Sequence, residues 1–115
     1  MAPKPPTSLG EFETLVLLAV LHLEDDKHEA YGSSIRDDIQ RRTGRDVPRG
    51  SMYVTLDRLE EKGLLASREG GAGGARGNRP KRLFHVTAQG LRAVKASVHV
   101  LARMQRGLET LLERP

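Results

Sequence analysis

Residues 49–69, RGSMYVTLDRLEEKGLLASRE, followed by a glycine- and arginine-rich tract and then by RLFHVTAQG at 82–90, decide the reading of this chain. At helical spacing Met52, Leu56 and Leu59 form one apolar stripe, and Ser51, Val54, Thr55, Arg58 and Lys62 fall on the opposite side. Asp57, Glu60 and Glu61 are displaced to the flank and back, which leaves an outer face that is small, polar and positive. Such a face suits a helix that enters a DNA major groove. Gly63 is expected to stop this helix. Leu64 to Arg68 and Arg82 to Val86 then read as two strands, with Phe84 and Val86 on one face and Leu83 and His85 on the other. The intervening GGAGGARGNRP is too glycine-rich for regular structure. The pattern is a helix followed by a β wing.

Upstream, Ser8 and Glu11 have the spacing of a capping box that opens a first helix, Leu9 to about Leu23. Through LVLLAVL this helix is apolar nearly all round, so it must be covered on more than one side. A charged linker, Glu24 to Glu29, leads to a second helix from about Tyr31 to Thr43, with Ile35 and Ile39 on its buried face and Gly44 as C-cap. The third helix, quoted above, begins near Pro48, which is tolerated in a first turn because its missing N–H would have had no partner there.

Downstream, Thr87 caps a last helix expected to run unbroken to about Glu113. Its Leu91, Val94, Val98, Leu101, Leu108 and Leu112 recur at alternating spacings of three and four, with Gln105 the one polar member of the series. Val100, Met104 and Leu111 widen the stripe. Leu15, Ala19, Leu91, Val94, Val98, Leu101, Met104, Leu108 and Leu112 are therefore the expected interface with a second copy of the chain.

YVTLDRLEEKGLL after a short helix beginning AYGSSIRDDI, with an Arg-rich hairpin ending RLFHVTAQG, resembles the PadR family of winged-helix transcriptional regulators. The resemblance runs from about Leu9 to Leu112. Two positions depart from the family pattern: Pro48 stands where a Ser or Thr N-cap is expected, and Leu83-Phe84 where paired tyrosines are frequent. The resemblance implies a mostly α fold with a small β-hairpin wing: a tail at residues 1–8 expected to be disordered, a winged-helix domain at 9–86 and a C-terminal dimerisation helix at 87–115. It implies a homodimer on a double-stranded, palindromic DNA operator, acting as a repressor. Arg49, Ser51, Tyr53, Val54, Thr55 and Arg58 of the third helix become candidate DNA contacts, Tyr53 by its match to a contacting position of the family. Arg76, Arg79, Lys81 and Arg82 become the wing contacts. A small-molecule effector of unknown identity is implied as well, releasing DNA by shifting the angle between the two winged domains. Leu15, Ala19, Val98 and Leu101 are apolar enough to line its pocket, although filling a dimer core is their favoured role.

Composition agrees with a nucleic-acid partner. The chain has 115 residues with 37% apolar content, suited to one domain with a small core supplemented by association. Net charge is +4, and between Gly70 and Leu108 there are eight Lys or Arg and no Asp or Glu. The competing reading is a winged-helix protein–protein module that uses the basic surface to hold an acidic partner without touching DNA.

Without cysteine, no disulfide or thiolate metal site can form. His22, Glu24, Asp25, Asp26, His28 and Glu29 have donors at spacings a metal could use, but a charged linker after a helix produces such clusters routinely, so no metal or cofactor is expected. No phosphate loop or nucleophile elbow is present, and an enzyme is not expected. The longest apolar run, Leu15 to Leu21, is far shorter than the ~20 residues of a membrane span, and a cytoplasmic location follows as the expectation.

Overall fold

A computed structural model describes residues 9–70 and 81–115. Helices α1 (Glu11–Asp25), α2 (Gly32–Thr43) and α3 (Arg49–Glu61) precede an antiparallel hairpin, β1 (Leu65–Gly70) and β2 (Lys81–Val86), and α4 (Ala88–Gln105) and a single turn, α5 (Glu109–Leu112), follow it. The expected tail at 1–8 lies outside the described residues. The expected capping box involves Ser8 and so also lies outside the described residues; α1 begins at Glu11 after Gly10, whose N–H donates to Glu13 Oε1 at 3.0 Å.

The core is built on α1. Val16, Leu17, Ala19, Val20 and Leu23 are buried with Ile35 and Ile39 of α2, Met52, Leu56 and Leu59 of α3, Leu65 and Phe84 of the hairpin, and Ala93 and Val94 of α4. The all-round apolar character of LVLLAVL is thus met largely within one chain: α2, α3, β2 and α4 all pack on α1. Ala19 and Val94, expected at a dimer interface, are only 2% and 4% exposed and belong to this core instead. The sequence pattern marks apolar positions but not which of two apolar neighbours covers each one.

Two helices end in the same way. In α3 the Leu64 N–H bonds to Leu59 O and the Gly63 N–H to Glu60 O, with Gly63 at φ +78°; in α1 the His28 N–H bonds to Leu23 O and the Lys27 N–H to Glu24 O, with Lys27 at φ +60°. Both are Schellman caps, and Lys27 occupies the left-handed position that usually falls to glycine.

The hairpin pairs Leu65 with Val86 through Gly70 with Lys81. On its other edge β2 is engaged by the end of α1 and the α1–α2 linker: the Phe84 N–H donates to Ala30 O of the linker at 2.7 Å and the Val86 N–H to Glu24 Oε1 of α1 at 3.1 Å. Leu83 and Phe84 are both buried, although alternation places them on opposite faces of the hairpin. Leu83 shares a small cleft with the linker residues Lys27, His28 and Glu29.

A third junction fixes α4. Thr87 Oγ1 donates to Gly63 O at 2.7 Å and accepts from the Gly90 N–H at 3.0 Å, while the Thr87 N–H bonds to Leu64 O at 3.1 Å. Gly90 lies so close to Leu64 that a Cβ there would collide with its carbonyl oxygen. The last helix is not continuous as expected. Arg106 leaves helical geometry, Gly107 sits at φ +90° with its N–H held by the Glu109 carboxylate at 2.9 Å, and only then does α5 begin. The apolar spacing runs on past a glycine that the backbone does not carry through. Among the described residues no helix is long and apolar enough to cross a membrane.

Gly90→Ala is expected to lower the unfolding free energy by at least about 2 kcal/mol, because the colliding atom is backbone and cannot move aside. Gly50→Ala, in open space within α3, should raise it by about 0.5 kcal/mol. Urea titrations of the two variants test both signs.

Candidate nucleic-acid interface

α2 and α3 form a helix-turn-helix pair whose turn is pinned by side chains. Arg36 Nε donates to Val47 O at 2.9 Å, and Val47 is buried. The Asp38 carboxylate, 2% exposed, is held by Arg41 at 3.1 Å and Arg42 at 3.0 Å. A buried carboxylate needs such partners, since an unpaired one costs several kcal/mol.

α3 turns Met52, Thr55, Leu56 and Leu59 inward and leaves Arg49, Gly50, Ser51, Tyr53, Val54, Asp57, Arg58 and Glu61 exposed. Ser51, Val54, Arg58 and Arg49 therefore stand on the open side as the sequence predicts. Thr55 does not: it is 7% exposed. The helical stripe is wider than its leucines suggest, and Thr55, one residue before Leu56 and three after Met52, falls within it. The open side is also not free of carboxylates, because Asp57 and Glu61 share it.

Tyr53 leans on the first turn of α2: a Cβ added to Gly32 would lie 2.7 Å from its hydroxyl oxygen, so only glycine accepts the ring at this distance. The ring is half-buried, with an apolar body packed and a polar tip beside the helix start. Tyr31, the N-cap residue of α2, carries Lys81 Nζ 3.9 Å above its ring centroid. Lys81 thereby joins the base of the wing to α2.

Arg82, expected to reach outward, is turned against α3. Its Nη1 bonds to Asp57 Oδ1 at 3.0 Å and its Nη2 to Glu60 Oε1 at 2.6 Å, with the guanidinium 4.9 Å from the Phe84 ring. Glu60 Oε2 accepts from Ser67 Oγ at 2.7 Å. These partners lie 25 and 22 residues from Arg82 in sequence, and local spacing holds no signal for them. Arg76 and Arg79 lie outside the described residues.

The other end of α3 is tied to α1. Lys62 Nζ donates to Glu13 Oε2 at 2.8 Å, which removes Lys62 from the open face on which spacing had placed it. Burial works against the charged form of Glu13, but the hydrogen bonds from Lys62 and the Gly10 amide, with the charges of Lys62 and Arg58, outweigh it and hold the carboxyl below its ordinary value.

Away from α3, an open cleft of about 850 Å³ runs between α1 and α4, lined by Leu15, Leu18, Val98 and Leu101 among others. Leu91, Val98, Val100, Leu101, Met104, Leu108, Leu111 and Leu112 are exposed, Met104 at 74%. Among the described residues no group of three or more His, Asp and Glu is arranged to hold a metal ion.

A helix-turn-helix with an open third helix, a two-stranded wing beside it and a helix beyond the wing defines a winged-helix transcriptional regulator. The Transcriptional regulator PadR-like family matches residues 17–96, and the chain belongs to that family, one of regulators and not of enzymes. Similar solved structures include a PadR family transcriptional regulator from Eggerthella lenta, 27% identical with TM-score 0.64, covering 91% of this chain and 88% of that one. A PadR family regulator from Clostridium difficile is 19% identical with TM-score 0.69, over 90% and 99% of the two chains. A PadR-like regulator from Bacillus cereus is 17% identical with TM-score 0.67, over 90% and 93%. No curated protein matches the chain.

Because the folded Glu13 binds its proton less readily than the unfolded chain, the Glu13–Lys62 tie contributes fully above the ordinary carboxylate value of 4.5 and is lost as pH falls through the lowered folded value. Glu13→Gln should therefore be less stable at neutral pH and show a flatter decline below about pH 5 than the parent. Thermal melts across this acid range report the difference.

Proposed function

We propose that the protein is a DNA-binding transcriptional repressor that acts as a homodimer on a palindromic operator. The observation that carries this reading is the open side of α3, with Ser51, Val54 and Arg58 uncovered between the helix start at Arg49 and the wing. Short hydroxyl and aliphatic side chains allow a helix to approach base edges closely, and an arginine can fork onto guanine. Arg49 adds charge where the helix N-terminus already attracts phosphate. Arg76 and Arg79, with Lys81 at the wing base, supply sequence-independent attraction to the backbone. Tyr53, resting on α2, offers its edge from the same side.

The homodimer is supported by the uncovered apolar residues of α4 and α5, too many and too contiguous for a solvated surface. Leu91, Val98, Leu101, Met104, Leu108 and Leu112 are assigned to the interface, with Leu15 at its edge. Two copies place two α3 helices on one duplex, and symmetry in the protein then requires symmetry in the site. The α1–α4 cleft is the place assigned to an apolar effector, since an occupant wedged there would alter how α4 leaves the winged domain. Cytoplasmic location accompanies this role.

Arg58→Ala should weaken binding to a duplex selected from genomic fragments by about 1–3 kcal/mol while changing retention of random duplex far less. Equal losses on both would make Arg58 a backbone anchor. No retention of either duplex by the parent protein at low salt would favour a protein-binding module. Leu101→Arg buries an unpaired charge in the assigned interface and should convert dimer to monomer in light scattering, with collapse of affinity for the selected duplex.

A further inference from the structure

α3 contains three carboxylates, Asp57, Glu60 and Glu61, against two arginines, Arg49 and Arg58. Beside a polyphosphate these carboxylates oppose binding unless they are compensated. Two of the three are met by a single side chain from the wing. Arg82 spans Asp57 at 3.0 Å and Glu60 at 2.6 Å, and the second oxygen of Glu60 is taken by Ser67 at 2.7 Å. One carboxylate of α3 thus grips both strands, Ser67 in β1 and Arg82 in β2. Arg82 is held from behind by Phe84, whose side chain is in the core and whose N–H is bound to Ala30 O. Both terminal nitrogens and the flat face of the guanidinium are therefore engaged within the chain.

We infer that Arg82 is a positioning residue for DNA binding: it neutralises Asp57 and Glu60 and locks the wing to α3, and it does not itself contact the DNA. The inference rests on the DNA-binding reading above. A guanidinium forked across two carboxylates is already neutralised by them; it keeps N–H donors to spare, but turning toward a phosphate would weaken the fork and uncover negative charge at the same place. Its contribution is greater where it is. Among the described residues Lys81, over the Tyr31 ring, and the exposed Arg68 of β1 are the wing cations outside any ion pair, and they are left to meet phosphate.

A double-mutant cycle separates the two roles. Affinity for a labelled random-sequence duplex, and its dependence on salt, is measured for the parent, Arg82→Ala, Asp57→Asn/Glu60→Gln and the triple variant, with melting temperatures confirming that each is folded. A positioning role predicts that Arg82→Ala weakens binding about tenfold in the parent but less than about threefold once both carboxylates are neutral, with an unchanged salt slope in that second background. Amide exchange in the free protein should also quicken in β1 and β2 in Arg82→Ala, with α1 unaffected. A direct phosphate contact predicts equal losses in both backgrounds and a slope lowered by about one in each; either result, or unchanged exchange in the hairpin, overturns the inference while leaving DNA binding intact. A parent protein that retains no duplex removes the DNA-binding reading and this inference with it.

Discussion

Four segments meet at the Thr87 side chain. Its hydroxyl donates to the last carbonyl region of α3 at Gly63 and accepts from the first turn of α4 at Gly90, while its own N–H closes onto Leu64 at the entrance to β1. One hydroxyl, acting as donor and acceptor, therefore sets the end of the recognition helix, the start of the wing and the direction of α4 relative to both. The close approach of Gly90 to the Leu64 carbonyl is the counterpart of this arrangement, since any larger residue would push α4 off the hairpin. The positions of α3 and of the long helix are thus one geometric quantity, not two.

Charge is distributed according to the same frame. Pairs at the rear of the domain, Glu13–Lys62 and Arg45–Glu11, join the N-terminal turn of α1 to the end of α3 and to the turn after α2. The Arg45–Glu11 pair is exposed and contributes little, whereas Glu13 is only 12% exposed and its pair with Lys62 counts for more. The Asp38 carboxylate behaves differently: it is enclosed and matched by two guanidiniums that themselves reach solvent, so that loss of the bases, and not of the acid, would leave a buried charge unpaired.

Most of the fold could be read along the chain because its devices are local. The Thr87 cap, the Gly44 and Gly63 stops, the α2 and α3 stripes and the antiparallel strands all depend on residues within one or two turns of each other. The readings that changed depend on distant neighbours or on width. Thr55 is buried because the core covers a broader band of α3 than three apolar residues outline, and Ala19 and Val94 are covered by their own chain. Leu83 is buried beside a linker more than fifty residues earlier in the sequence. Arg82 is basic in a basic segment, and no spacing rule reveals that two acids of α3 await it. Gly107 was a local signal, overridden in the reading by an apolar repeat that continues across it.

That glycine has a mechanical consequence. A rod of 18 residues is about 27 Å long and moves as a unit when its base is turned. Beyond Gln105 the rod stops, and α5 follows a turn of Arg106, Gly107 and Leu108 that is closed by the Leu108 N–H on Gln105 O and by the Glu109 carboxylate on the Gly107 N–H. The apolar stripe is accordingly divided into two segments, Leu91 to Met104 along α4 and Leu108 to Leu112 beyond the turn, whose directions are set separately.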